Sequence, residues 1–244
     1  MRIACIQHVS FEGPGNIAAW AADRGHTFRI SRLYAGENLP VLDSFDMLVV
    51  MGGPMSVHDE ADYEWLRPEK ALVAECLKQK KFVLGICLGS QLLAEVLGTT
   101  VYRNHAREIG WFPVQFQTGA VGLSCIMGLP ATLDVLHWHG ETYNLPPGCV
   151  QVAKSEGCAV QAFEHPSALG LQFHLEATAN GLAELISHCG AEIGTGPYEQ
   201  PPDAILSGES AHGGPAKTAL YVILDNIERR MAALLQQFPP RVRR

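Results

Sequence analysis

A chain of 244 residues with 47% hydrophobic content is long enough for one large α/β domain with a substantial core. Its formal net charge of −7 argues against generic nucleic-acid binding, and the basic end Arg241-Val242-Arg243-Arg244 reads as a solvated terminus. No apolar run approaches the roughly 18 residues that a membrane span needs, and Met1–Ile6 lacks the apolar length of a signal peptide, so a cytoplasmic protein without membrane contact is expected.

In chain order, strands near Ile3–Gln7, Phe28–Ser31, Leu48–Met51 and Phe82–Ile86 alternate with helices near Gly15–Arg24, Tyr63–Lys80 and Gln91–Leu97. This rhythm predicts an α/β fold with a mostly parallel central sheet covered by helices on both faces. Shorter strand candidates at Trp111–Phe116, Val135–His139, Val150–Ser155, Val160–Phe163 and Leu169–Phe173 predict antiparallel additions in the second half. From Cys189 to Pro215 the chain is rich in glycine and proline, which predicts a loop that either covers a pocket or packs as structure. A final helix over 216–237 carries Leu220, Ile223, Leu224, Ile227, Met231 and Leu234 on one stripe. With no internal repeat, residues 1–244 are expected to form a single domain.

The run Gly85-Ile86-Cys87-Leu88-Gly89-Ser90-Gln91 puts a cysteine on a sharp turn between an apolar strand and a helix. Glycines on either side of a nucleophile let the backbone take the strained conformation that presents it, and a helix N-terminus favours the thiolate. Taken alone, the pattern also fits a buried structural cysteine beside a glycine turn. The strand Leu169-Gly170-Leu171-Gln172-Phe173 then runs out into His174-Leu175-Glu176. Residues two apart on an extended strand end point the same way, so Glu176 can orient the His174 imidazole as a base for the thiol. Parallel sheets gather such strand ends along one edge, where ligands bind. The other cysteines, at 5, 76, 125, 149, 158 and 189, follow no disulfide framework and suit a reducing compartment.

Gly-x-Cys-x-Gly-x-Gln followed much later by His-x-Glu resembles the class I, or triad, glutamine amidotransferases, in their flavodoxin-like fold, and the resemblance runs from Met1 to about His188. It implies Cys87 as nucleophile, His174 as general base and acid, and Glu176 as the residue orienting the imidazole. Gln91 matches a position that helps hold the glutamine substrate. Asp46–Pro54 is an apolar strand opening into Gly52-Gly53-Pro54; the resemblance assigns the Gly53 and Leu88 N–H groups to an oxyanion hole and Gly52 to the substrate loop, as backbone donors aimed at a developing charge require. Without Cys87, Gly-Gly-Pro would read only as a turn. Leu175 departs from the proline usual in the amidotransferase domains of GMP synthase and its relatives, which favours a stand-alone GMP-synthase-like branch.

His137-Trp138-His139-Gly140-Glu141-Thr142 is similar to a stretch near the active-site mouth of that branch, and makes Trp138 and His139 candidate substrate contacts. His-x-His also invites a metal reading, but no third and fourth ligands stand nearby at metal-like spacing, so no metal is expected. Arg107-Glu108-Ile109-Gly110-Trp111 reads as a charged turn before a strand, without a catalytic part. No Gly-x-x-x-x-Gly-Lys-Ser/Thr motif or ATP-dependent acceptor domain is evident. Three functions stay open. The first is hydrolysis of the glutamine γ-amide through a γ-glutamyl thioester, with ammonia passing to a separate synthetase partner; the second is a γ-glutamyl peptidase; the third is a non-catalytic cysteine sensor. None of them requires a cofactor.

Overall fold

The computed structural model describes residues 1–117 and 124–237. In chain order the elements are β1 (Arg2–Gln7), α1 (Gly15–Asp23), β2 (Thr27–Arg32), β3 (Met47–Val50), α2 (Leu66–Lys78), β4 (Phe82–Ile86), α3 (Leu88–Val96), β5 (Val101–Phe116), β6 (Thr132–Tyr143), β7 (Val150–Lys154), β8 (Ala162–His165), β9 (Ala168–Leu171), α4 (Ala179–Cys189) and α5 (Pro202–Gln237). Among the described residues, one nine-stranded sheet runs in the order β2-β1-β3-β4-β9-β8-β7-β5-β6.

The strands from β2 to β9 in that order pair in parallel, and those from β9 to β6 pair antiparallel. The α/β fold and its antiparallel additions are thus both present, the additions being as extensive as the parallel half. The parallel register aligns Ile6 with Val50, Val50 with Gly85, and Gly85 with Gly170. The chain beyond each of these strands therefore emerges on one edge, which brings His8, Gly52-Gly53, Cys87 and His174 to neighbouring positions.

Two apolar layers sandwich the sheet. Ile3 and Cys5 of β1 face Ile17 and Trp20 of α1 and the stripe of α5, while Ala4 and Ile6 face Val73 of α2 and Leu92 and Leu93 of α3. The alternation follows from the two-residue period of a strand, and each fully buried Ile or Leu contributes about 1.5–3 kcal/mol.

The expected loop over Cys189–Pro215 is corrected. A short 3-10 turn at Gly190–Glu192 follows α4, and α5 already begins at Pro202, well before residue 216. Proline is tolerated at a helix start, where its missing N–H would have had no partner. Ile205 extends the buried stripe of Ala216, Leu220, Ile223, Leu224 and Ile227 by further turns. Gly208 is there for close packing, since a Cβ at that position would stand 2.6 Å from Trp111 Cδ1. The part that remains irregular is fastened down: Ile109 N–H donates to Tyr198 O at 2.8 Å and Gln200 N–H donates to Ile109 O at 2.9 Å. Leu234 and the basic end 241–244 lie outside the residues whose side chains are described.

Asp225 docks α5 on α1. Its Oδ1 accepts from the indole Nε1 of fully buried Trp20 at 2.8 Å, and its Oδ2 accepts from Arg24 at 2.9 Å. The Arg24 hydrogen bond is the main cause holding the Asp225 carboxyl below its usual range. Asp225→Ala should therefore cost about 1–3 kcal/mol, because it leaves a buried indole N–H unpaired. A carboxyl whose folded value is depressed contributes its full stability above its unfolded value near 4 and loses it as pH falls through the folded value. Urea titrations should show the two proteins furthest apart near neutrality and closer in acid, where the protonated carboxyl still accepts from the indole but no longer pairs as an anion with Arg24; a constant difference across that range would contradict the part assigned to the Arg24 pair.

Candidate active site

The elbow is built by close backbone contacts. A Cβ on Gly85 would run into the backbone of Gly89, and one on Gly89 into the Val50 carbonyl, so only glycines let α3 leave β4 this steeply. Between them Cys87 takes φ 49° and ψ −107°, a conformation that L side chains rarely adopt. It is held there from both sides: Cys87 N–H donates to Leu171 O at 2.8 Å, while Ser90 Oγ and N–H donate to Cys87 O at 2.7 and 2.9 Å. Tyr143 Oη in turn donates to Ser90 Oγ at 3.1 Å. The thiol sulfur lies 3.6 Å from the Trp138 carbonyl oxygen and 3.6 Å from Gln172 Nε2.

His174 and Glu176 leave β9 as expected, with His174 Nδ1 2.7 Å from Glu176 Oε1 and both side chains buried. A Cβ placed on Gly52 would stand 3.3 Å from His174 Cε1 and 3.5 Å from Cys87 Cβ, so imidazole and thiol flank one point. Burial opposes the charged imidazolium, but the Glu176 carboxylate and the Cys87 thiol outweigh it and raise the His174 pKa well above its ordinary value. The thiol biases the ring electrostatically although His174 Nε2 makes no full hydrogen bond. Such looseness is usual before substrate binds.

A cleft of about 270 Å³ opens over Cys87, lined also by Gly53, Gln91, Trp138 and His139. A neighbouring cavity of about 210 Å³ reaches His174 and Glu176, and Glu12 borders both. Gln91 is anchored by Gln172 Oε1 at 3.2 Å and the Glu141 carbonyl at 3.4 Å. Leu88 is the first residue of α3, where a backbone N–H has no intrahelical acceptor. Gly52 does not line the cleft, because the Glu12 carboxylate covers it.

Sequence reasoning missed two groups here. Glu12 follows β1, and its carboxyl is pushed up by burial and by Glu176, against the pull of His174. The signal that could have found it is its place in the loop after a parallel strand. Glu108, taken as part of a charged turn, is instead buried between histidines: its Oε2 lies 3.1 Å from His139 Nε2, and the ligand atoms of Glu108, His137 and His139 all fall within 4.8 Å of one another. That supplies the third candidate ligand that sequence spacing did not reveal. Gln161 Nε2 stands 2.7 Å from Glu108 Oε2, 3.3 Å from His137 Nδ1 and 3.4 Å from His139 Nε2, so an amide fills the space between them. Burial chiefly lowers His137 to about 4, leaving it a neutral member of this network.

A thiol on a glycine elbow with an imidazole–carboxylate pair beside it is the kind of arrangement that acyl transfer through sulfur uses. The family model of class I glutamine amidotransferases matches residues 15–189. The chain belongs to that family. It is 38% identical over 198 residues to the glutamine amidotransferase-like protein YfeJ of Salmonella typhimurium, covering 79% of this chain and 83% of that protein. It is 36% identical over 140 residues to the glutamine-hydrolysing GMP synthase of Thermomicrobium roseum, covering 57% of this chain and only 25% of that protein. Among solved structures, a glutamine amidotransferase of Thermotoga maritima superposes with a TM-score of 0.85 at 32% identity, over 95% of this chain and 98% of that one. Another from Methylobacillus flagellatus gives a TM-score of 0.87 at 28% identity, over 94% of each chain. No helix among the described residues is long and apolar enough to cross a membrane.

Proposed function

We propose that this protein, as a single domain, hydrolyses the γ-amide of glutamine, with Cys87 as nucleophile, His174 as general base and acid, and Glu176 orienting the imidazole. The observation that carries the reading is the 2.7 Å His174–Glu176 contact beside a thiol held at φ 49°. The Cys87 sulfur attacks the γ-carbonyl carbon, forming the C–S bond, while the Gly53 and Leu88 N–H groups receive the negative charge on oxygen. As the tetrahedral adduct collapses, the C–N bond breaks and His174 gives its proton to the departing amine. Water, deprotonated by the same imidazole, then cleaves the thioester to glutamate and restores the thiol. Gln91 and the Trp138–His139 wall hold the substrate. The chemistry needs no metal or organic cofactor, and unpaired thiols at all seven cysteines suit a reducing, cytoplasmic setting.

A γ-glutamyl peptidase is the second reading, favoured by the extent of the cleft. Beyond Cys87 its lining includes Ser56, Asp59, Cys189 and Glu192, which leaves room for a leaving amine larger than ammonia. A separate synthetase partner belongs to the first reading alone, because ammonia needs an acceptor and a peptide product does not. Purified protein offered glutamine and γ-glutamyl dipeptides in parallel should release glutamate from at least one of them. Ammonia from glutamine at the higher kcat/KM supports the first reading, preference for a dipeptide supports the second, and turnover of neither overturns both.

A further inference from the structure

One buried ion pair stands behind the glycine loop. His8 follows β1, Glu69 lies in the first turn of α2, and their exposures are 1% and 0%. His8 Nδ1 lies 2.9 Å from the Gly52 carbonyl oxygen, and its Nε2 lies 3.0 Å from Glu69 Oε1. Neither a carbonyl oxygen nor a carboxylate can donate, so a ring bonded to both carries protons on both nitrogens. Should the shared proton rest on Glu69 instead, Nδ1–H still donates to Gly52. Trp65 stacks on the ring at 4.9 Å and 17°, a face-on contact that suits a cation. Burial opposes the charge on His8, but Glu69 and the Gly52 carbonyl outweigh it and raise the pKa.

The Gly52 carbonyl and the Gly53 N–H belong to one peptide unit. No cis peptide occurs among the described residues, and the two groups of a planar trans peptide point in opposite directions. Holding the carbonyl toward His8 therefore turns the Gly53 N–H away from it. Glycine at both positions gives this loop little conformational preference of its own, so something outside it must set the plane.

We infer that His8, held by Glu69, is the positioning residue that sets the Gly52–Gly53 peptide plane and thereby aims the Gly53 N–H at the oxyanion. The inference rests on the proposed hydrolytic function and on Gly53 as an oxyanion donor. A positive charge behind the carbonyl also polarises the peptide, making its N–H a stronger donor at the point where charge develops. A cation paired this way costs no reorganisation during the reaction.

The test compares three variants with the wild type. The double variant His8→Leu with Glu69→Leu removes the donor without leaving a buried charge unpaired. His8→Asn keeps a side-chain N–H near the place of Nδ1, and Glu69→Gln keeps the shape of the pair while discharging it. For each protein, kcat and KM are measured on the better of glutamine and γ-glutamyl substrates, together with inhibition by a glutamine-derived γ-aldehyde, whose thiol adduct places an oxygen in the oxyanion position, and the rate of Cys87 alkylation by iodoacetamide. The double variant should lose about 10- to 100-fold in kcat and in aldehyde affinity, somewhat less than deleting an oxyanion donor outright. KM and the alkylation rate should stay within about twofold. His8→Asn should recover part of the loss, and Glu69→Gln should fall between it and the wild type. Wild-type kcat in all three variants would overturn the inference, as would losses that appear equally in KM and in alkylation. If the double variant does not fold, His8→Asn and Glu69→Gln still decide, since unchanged aldehyde affinity in both is incompatible with the role. A wild type inert on every substrate would instead bring down the functional reading, and this inference with it.

Discussion

Replacing Cys87 with serine or alanine should lower amide hydrolysis by about 10³-fold or more, the scale seen when a nucleophile that acts as part of a unit is removed. The fold should survive, because the elbow is held by the backbone bonds to Leu171 and Ser90 and not by the thiol. Backbone strain adds a second, independent sign. A side chain at φ 49° and ψ −107° costs about 1–3 kcal/mol that glycine does not incur, so Cys87→Gly should be more stable than Cys87→Ala while equally inactive. Calorimetry on the two variants checks this; a less stable glycine variant would mean that the turn is not strained as described. An electrophilic glutamine analogue should label Cys87 ahead of the other cysteines. Burial raises all six of those thiols, with Cys149 and Cys158 pushed up to about 11 and Cys76, Cys125 and Cys189 to about 12. They remain protonated and poorly nucleophilic near neutral pH. Peptide mass mapping that found the label spread among them would count against Cys87 as the nucleophile.

Features of the site were legible where a local rule dictates them. Gly85, Cys87 and Gly89 sit at the spacing a strand-to-helix turn demands, and His174 and Glu176 at the spacing of one face of an extended end. The apolar runs of β1, β3 and β4 likewise announced a parallel sheet, and with it the edge on which these residues meet. What was not legible depends on partners distant in sequence. Val101–Glu108 has no apolar alternation, yet it forms the first half of β5, because β6 supplies a pairing strand and Glu108 finds histidines across it. Gly208 and Pro215 read as loop residues until Trp111 and the apolar layer beneath them are known, so tertiary packing overrode propensity along α5. His8 and Glu69 illustrate the same limit, being 61 residues apart and in contact only because α2 packs beside the end of β1.

The pair His174 and Glu176 separates base from orienter, and the expected effects differ in kind as well as in size. His174→Ala removes the imidazole beside Cys87 that is placed to carry the proton to the departing amine, so the loss should approach that of Cys87→Ala, about 10³-fold or more. Glu176→Gln keeps a hydrogen-bonding group near His174 Nδ1 but removes the charge that does most to raise the imidazole pKa, and should leave measurable turnover. The direction of its pH effect follows from the sign. With the carboxylate gone, the coupled thiol–imidazole system loses its proton at lower pH, so the alkaline limb of the kcat/KM profile should move toward neutrality. His139 is the competing histidine: its Nε2 is engaged with Glu108 and its Nδ1 with the Glu141 carbonyl, both at 3.1 Å, so it has no free nitrogen to offer the thiol. If Glu176→Gln leaves the alkaline limb where it was while His139→Ala is as damaging as Cys87→Ala, the base belongs to the other histidine and the assignment of His174 fails.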